Sequence, residues 1–270
     1  MPDRNAAFVG TIPENYDRYL GPMLFHPYAD DLAGRLVVTP GLRVLEVACG
    51  TGLLTRRVLE RLRGRGSILA TDLNEAMIAY GRTQVPAEPG LEWRQADATS
   101  LPLPDRSFDV VVCQFGLMFF PDKAAGIREA FRVLEPGGVY LFNVWDAIDR
   151  NSIARITHET VAKFFPTDPP QFYTVPFGFH DPERIRRLLA EAGFGRIEWA
   201  YVEKTGTSPA AADAVTGLIE GNPILGAIME RRPEALPEIK KAVAAQLAAQ
   251  LGDRPVRCGL RAIVFSARRP

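Results

Sequence analysis

An acidic residue followed by small residues at every second position is the part of this sequence best suited to chemistry: Glu46, Ala48, Gly50 and Gly52. The apolar run 44–47 comes first and a helical pattern follows, which predicts a strand, a tight turn and a helix. Small side chains leave the backbone of such a turn bare, and glycine tolerates the positive φ that it often needs. The first N–H groups of the helix favour an anionic group. The stretch therefore predicts a nucleotide-type cofactor site.

Two kinds of cofactor suit such a turn, and one of them is disfavoured here. The dinucleotide pattern G-x-G-x-x-G needs a third glycine where this chain has Thr55. The stretch instead resembles the E/D-x-G-x-G-x-G motif of the class I S-adenosylmethionine-dependent methyltransferases, with Ala48 in place of the first glycine. We expect this exchange to be mild if the position has a negative φ. The resemblance implies cofactor contacts at Glu46, Ala48, Gly50, Thr51 and Gly52.

Carboxylates follow the next two predicted strands, 67–71 and 91–95. Asp72 could accept hydrogen bonds from both hydroxyl groups of a ribose, or it could cap the helix that follows. Asn74 is a second candidate for that cap, so we favour the ribose role for Asp72. Asp97 could bind a ligand or form an Asx turn within its own loop.

The resemblance to the methyltransferases implies further contacts. In that family an acidic residue at the position of Asp97 accepts from the adenine amino group, and the next N–H, here that of Ala98, donates to a ring nitrogen. The counterpart of Met77 lies near adenine, and Leu73 lies beside Asp72. The sequences LPLPDRSFD (101–109) and RVLEPGG (132–138) match two other family stretches.

Within the family, the chain resembles the ubiquinone/menaquinone C-methyltransferase group through VACGTG (47–52) and FDVVVCQFGL (108–117). That group continues with Arg where this chain has Met118. A quinone-precursor acceptor is therefore one alternative, and a different small acceptor is another.

Methyl transfer from a sulfonium is an in-line displacement that depends mainly on placement, which can supply about 7–11 kcal/mol of the barrier. A general base adds roughly 10²–10⁴-fold where the acceptor must lose a proton. Gln114, just after the predicted strand 110–113, could hold the methionine end of the cofactor or a heteroatom of the acceptor. Tyr19 is a further cofactor candidate in the N-terminal segment. The weak catalytic candidates are Tyr16, His26, Gln114, His158 and His180.

Composition narrows the function classes. The chain has 270 residues, 47% of them hydrophobic, and 32 basic side chains balance 32 acidic ones. No net charge attracts nucleic acid or an anionic membrane, and no apolar run is long enough to span a bilayer. Cys49, Cys113 and Cys258 form no CxxC pair, so we expect neither disulfides nor a metal site, and a cytoplasmic location. The expected partner is a small-molecule methyl acceptor. The sequence is compatible with a homodimer as well as with a monomer.

The predicted fold is α/β: a doubly wound, seven-stranded, mostly parallel sheet whose last strand is antiparallel, with N-terminal helices and a helical lid. We predict one domain over 1–270. Gly21-Pro22 and His26-Pro27 should divide the N-terminal segment into two or three short helices. The parts are an N-terminal helical segment (1–39), a cofactor-binding core (40–145) and lid insertions (146–179 and 207–252).

The function predicted is S-adenosylmethionine-dependent methylation of a small, apolar or aromatic molecule. Two alternatives belong to other classes. The same fold and cofactor could serve a non-methylating reaction such as decarboxylation or cyclisation, or the chain could be a binding module with a vestigial site. Retention of Glu46, Gly50, Gly52, Asp72 and Asp97 together argues against the second.

Overall fold

The computed structural model describes residues 7–270, and within this range seven strands form one sheet in the order β3-β2-β1-β4-β5-β7-β6. Strands β1 to β5 are mutually parallel, whereas β7 runs antiparallel to both β5 and β6. The predicted doubly wound sheet with an antiparallel last strand is confirmed. The strands are β1 Leu42–Val47, β2 Gly66–Asp72, β3 Leu91–Gln95, β4 Phe108–Gln114, β5 Leu134–Trp145, β6 Ile197–Ser208 and β7 Val256–Arg268.

Helices cover both faces of the sheet and its carboxyl edge. No helix among the described residues combines the length and apolar character needed to cross a bilayer. The α-helices are α1 Ile12–Asn15, α2 His26–Gly34, α3 Leu53–Leu62, α4 Glu75–Gln84, α5 Lys123–Val133, α6 Ser152–Ala162, α7 Pro182–Glu191, α8 Ala211–Val215, α9 Ile224–Arg231 and α10 Leu236–Leu251. Wider π-helical turns occupy Tyr16–Phe25 and Thr216–Glu220, and single 3₁₀ turns lie at Leu117–Phe119, Ile148–Arg150, Phe172–Thr174 and Pro233–Ala235.

The sheet separates the two main clusters of the core, because successive side chains of a strand point to opposite faces. Leu45 and Val111 are fully buried on one face, and Val44 and Val112 are buried on the other. Burial on both sides explains why β4 is a continuous run of β-branched residues, as expected of a central parallel strand.

The N-terminal segment departs in one respect from the prediction. The chain changes from π-helical to α-helical geometry at His26, as its His-Pro sequence suggested, but Gly21-Pro22 does not break the helical path. The π-helical stretch accommodates Pro22 because its hydrogen bonds span five residues, so that the N–H of His26 donates to the carbonyl of Gly21.

The sheet also determines where a ligand can enter. Strand β1 lies between β2 and β4, and the chain winds in opposite directions on the two sides of the β1–β4 pair. In such sheets a crevice opens beyond the carboxyl ends of the two strands at this switch point. The turn after β1 and the residues after β4 therefore face each other across the crevice.

Two valines provide a matched test of the core. Val44 in β1 is completely buried, whereas Val37 is 80% exposed. We expect Val44→Ala to lower the free energy of unfolding by about 2 kcal/mol, because two buried methyl groups and their packing are lost. Val37→Ala should change it by roughly 0.5 kcal/mol or less. Urea denaturation measures both, and equal effects would contradict this placement of β1.

Candidate active site

A cavity of about 440 Å³ opens beyond the carboxyl ends of the central strands. This volume falls within the range of small-molecule and cofactor sites, about 300–1,000 Å³. Of the predicted cofactor residues, those that line it are Ala48, Gly50, Asp72, Leu73, Met77, Asp97, Ala98 and Gln114. Its remaining lining comes mostly from apolar side chains of the N-terminal segment, the chain after β4 and the two predicted lid segments.

The turn after β1 has left-handed backbone at three positions. Gly50 (φ +57°) and Gly52 (φ +82°) adopt it readily, but Ala48 also has φ +54°. The condition under which we expected the exchange to be mild, a negative φ at Ala48, is therefore not met. The alanine carries strain of roughly 1–3 kcal/mol. A glycine elsewhere makes room for its methyl group, since a Cβ atom on Gly116 would lie only 2.4 Å from that of Ala48.

Asp72 joins the two turns that face the cavity. Its Oδ2 accepts a hydrogen bond from the N–H of Gly50 at 2.8 Å, and its Oδ1 accepts one from the N–H of Asn74 at 2.8 Å. The side chain is 7% exposed. Burial raises the pKa of Asp72 above its ordinary value, while these N–H donors act to lower it. The carboxylate thus fixes two stretches of backbone beside the cavity, one at Gly50 and one at Asn74.

Asp97 lies at the exposed rim of the cavity. Its Oδ1 accepts from both the N–H and the hydroxyl group of Thr99, at 2.8 and 2.7 Å. The Asx turn that we considered is therefore present. Both bonds use one oxygen atom, so the turn does not by itself exclude a ligand contact through Oδ2.

Glu46 does not line the cavity. It is 1% exposed beneath the turn, where its Oε2 accepts a hydrogen bond from the hydroxyl group of Thr55 at 2.6 Å. Burial raises the pKa of Glu46 to about 8, although the bond from Thr55 opposes the shift. Glu46 and Thr55 thus link β1 to α3 behind the turn. Sequence reasoning used Thr55 only to exclude a dinucleotide site and missed this pair.

Three other predicted cofactor residues also lie outside the lining: Tyr19, Thr51 and Gly52. The hydroxyl group of Thr51 donates to Oδ1 of Asp17 at 2.9 Å, which attaches the turn to the N-terminal segment. Gly52 packs so closely that a Cβ atom there would lie 2.7 Å from Cη2 of Trp93. Thr51 and Gly52 thus shape the turn without lining the cavity. Asp17 carried no recognisable signal in the sequence.

Aromatic rings form the other side of the cavity. Tyr16 stacks on Phe25 with ring centroids 4.7 Å apart, and Phe115 stacks on Trp145 at 3.9 Å. Burial raises the pKa of Tyr16 above its ordinary value, and the negative charge of Asp72 is the second largest cause of the increase. Further rings and apolar side chains in the lining belong to Phe8, Met118, Phe119, Phe120, Phe172, Tyr173 and Phe177.

The histidine candidates lie elsewhere. Within residues 7–270, the cavity lining includes none of His26, His158 and His180. Nδ1 of His180 lies 2.7 Å from the carbonyl oxygen of Phe177. Burial lowers the pKa of His26 and of His158 below the ordinary value. Of the weak catalytic candidates, the structure brings Tyr16 and Gln114 to the cavity.

The buried carboxyl group of Glu46 predicts a pH dependence of stability. Its pKa rises from 4.5 in the unfolded chain to about 8 in the folded one, so between these values the folded state binds more protons and stability falls as pH rises. Glu46→Gln keeps the shape without the ionisation. We expect this variant to gain stability relative to the wild type between about pH 5 and about pH 8, measured by urea denaturation. The exposed Glu60→Gln is the control. A difference between wild type and Glu46→Gln that stays constant with pH would contradict the assignment.

Comparison with known proteins identifies the family of this chain. Residues 44–138 match a family described as a methyltransferase domain. The ubiquinone/menaquinone biosynthesis C-methyltransferase UbiE of Stenotrophomonas maltophilia is 33% identical over an alignment of 175 positions, which covers 60% of this chain and 69% of that protein.

Solved structures show the same fold. Haemonchus contortus phosphoethanolamine N-methyltransferase 2 in complex with S-adenosyl-L-methionine has a TM-score of 0.61 at 16% identity, covering 96% of this chain and 56% of its own. The [4+2]-cyclase SpnF has a TM-score of 0.57 at 22% identity, covering 91% of this chain and 82% of its own.

The sequence motif in the turn after β1, the strand order of the sheet and the relationship to UbiE all indicate the same family. The cofactor of proteins with this motif and fold is S-adenosylmethionine, and the bare turn and the cavity are compatible with its size and polarity. The chain belongs to the class I S-adenosylmethionine-dependent methyltransferases and is a relative of UbiE.

Proposed function

We propose that this methyltransferase acts on a small, apolar or aromatic acceptor. The observation that carries the proposal is the wall of aromatic rings directly beside the cofactor turn. Tyr16 and Phe25 contribute from the N-terminal segment, Phe115 and Trp145 from the ends of β4 and β5. Such a wall favours flat or apolar molecules, because it removes apolar surface from water and allows ring stacking.

The proposed contacts involve three parts of the cofactor: the ribose, the adenine and the methionine end. Asp72 accepts from the ribose hydroxyl groups, and Asp97 with Ala98 holds the adenine between Leu73 and Met77. The backbone at Gly50 lies against the methionine end. These roles are supported by the common cavity that all of these residues line.

S-adenosylmethionine, when bound, supplies an activated sulfonium methyl group. The chain then has to bind both molecules, align them and exclude water. Alignment can supply about 7–11 kcal/mol of the barrier, and a dry apolar surround strengthens the electrostatic interactions within it. We propose that residues 7–39, together with the lid segments 146–179 and 207–252, provide this surround. Phe172, Tyr173, Leu218 and Asn222 support the proposal, since each of them reaches the cavity lining.

The three cysteines are buried free thiols. Unpaired thiols are typical of a reducing compartment, which supports the cytoplasm as the site of action.

Two other reactions are kept as candidates by specific observations. The relationship to UbiE favours methylation of a quinone precursor at carbon, although Met118 replaces the arginine of that group. The fold is also that of a [4+2]-cyclase, so a reaction that retains the cofactor but transfers no methyl group is the second. The mass of the product distinguishes them, because only a methyltransferase adds a methyl group.

Isothermal titration with S-adenosylmethionine tests the cofactor contacts. We expect Asp72→Ala to weaken binding at least tenfold, because it removes the proposed ribose acceptor and releases the N–H groups of Gly50 and Asn74. Asp105→Ala, on a side chain that is 70% exposed and outside the cavity lining, should bind like the wild type. Denaturation curves verify that both variants are folded.

Absence of binding by the wild-type protein would overturn the cofactor assignment. Equal affinities of Asp72→Ala and the wild type would overturn the role of Asp72 alone.

A further inference from the structure

Strand β6 lies at one end of the sheet, far from the switch point. Within residues 7–270 it is hydrogen-bonded to β7 alone, and at 12 residues it is about twice the usual length of a strand. The outer side of such a strand presents backbone N–H and C=O groups that can pair with another chain. Natural proteins shorten a long edge of this kind, cover it or pair it. The outer edge of β6 is therefore a candidate interaction surface.

Side chains on both faces of β6 reach the solvent. Trp199 and Tyr201 project from one face and are 36% and 44% exposed; of the large hydrophobic side chains exposed within residues 7–270, these two are the aromatic ones. Ala200 projects from the opposite face and is also exposed. Burial begins at Gly206, where the N-terminal segment packs against the strand. The stretch 197–205 is therefore accessible to a second strand.

The exposed rings are held in place by their neighbours. Trp199 and Tyr201 contact each other edge to face, with ring centroids 5.4 Å apart. The guanidinium group of Arg261 lies 4.1 Å from the centroid of the Tyr201 ring, and Nε of Arg261 donates to Oδ2 of Asp146 at 2.6 Å. Trp, Tyr and Arg are enriched among the residues that dominate protein interfaces, and ordered side chains lose little entropy on binding. The patch thus has the composition and the rigidity of an interface.

The charges along β6 fit a second copy of the same strand. When two identical strands pair antiparallel about a two-fold axis, each residue faces the one equally far on the other side of a central residue. With Tyr201 at the centre, Glu198 of each copy faces Lys204 of the other, and the two Tyr201 rings face each other. Opposite charges and aromatic rings are both favourable cross-strand pairs. The strand is therefore complementary to itself.

Other registers lose the charge pairing. A centre at Ala200 would place Glu198 opposite Val202, and a centre at Glu203 would set the two copies of that glutamate against each other. Like charges directly opposite each other are destabilising. Charge therefore selects the register that is centred on Tyr201.

We propose that the outer edge of β6 is the surface through which two copies of this chain associate, with the two strands antiparallel about Tyr201. The two sheets then continue as one across the interface, and the rings of Trp199 and Tyr201 from both copies lie on one face of it. This inference goes beyond the proposed function and does not depend on the acceptor.

Sedimentation equilibrium tests the surface with charge reversals that cancel when they are combined. The wild type should dimerise with a dissociation constant of about 10 μM or below. Glu198→Lys places like charges opposite each other twice in the dimer, so the dissociation constant should rise at least about tenfold. Lys204→Glu should have the same effect. The double variant carrying both changes restores opposite charges and should return to within about threefold of the wild type.

Glu60→Lys is the matched control, because it makes the same change on an exposed side chain of α3, which packs against β2, and it should leave the dissociation constant unchanged. Urea denaturation verifies that each variant is folded. A wild type that remains monomeric at about 100 μM overturns the proposal. Equal dissociation constants for the wild type and Glu198→Lys also overturn it, as does a double variant that dimerises as weakly as the single ones. Because no ligand takes part, these outcomes do not bear on the proposed function.

Discussion

The carboxylate of Asp72 is the contact on which the site depends. Through one oxygen it holds the turn that follows β1, and through the other it holds the turn that follows β2. Both turns border the cavity, and the turn after β1 has no bulky side chain of its own to hold it in place. A buried carboxylate that bonds two backbone N–H groups provides this rigidity, because charge-assisted hydrogen bonds are stronger than neutral ones. Preorganisation of this kind lowers the entropic cost of binding a ligand.

Close packing at the switch point explains the unusual backbone around Asp72. Ala48 and Phe115, both with positive φ, follow neighbouring strands, and Gly116 leaves room for the methyl group of Ala48. Strained residues persist only where their surroundings determine them, and they concentrate at functional sites. The strain here is opposed by the packing of β1 against β4 and by the Phe115–Trp145 stack.

The site combines a polar end and an apolar end, and they come from different parts of the chain. The sheet and its turns supply the carboxylates and bare backbone, whereas the N-terminal segment and residues 172–177 supply many of the rings. The bond from Thr51 to Asp17 connects the two parts directly. Chemistry that depends on placement requires such a connection, because the relative position of two bound molecules is only as precise as the elements that hold them.

The local pattern of the sequence determined the strands, the turn after β1 and the carboxylates after β2 and β3, since strand periodicity and turn chemistry are properties of neighbouring residues. Tertiary structure decided what depends on distant contacts. Gly116 leaves room for Ala48 with its left-handed φ, and the buried carboxyl group of Glu46 accepts its hydrogen bond from Thr55. Gln114 lies beside Asn143 because of the register of β4 and β5. The histidines lie outside the cavity lining, and this too was decided by how distant parts of the chain pack together. A side chain's chemistry is set by which groups surround it, and only the folded chain brings those groups together.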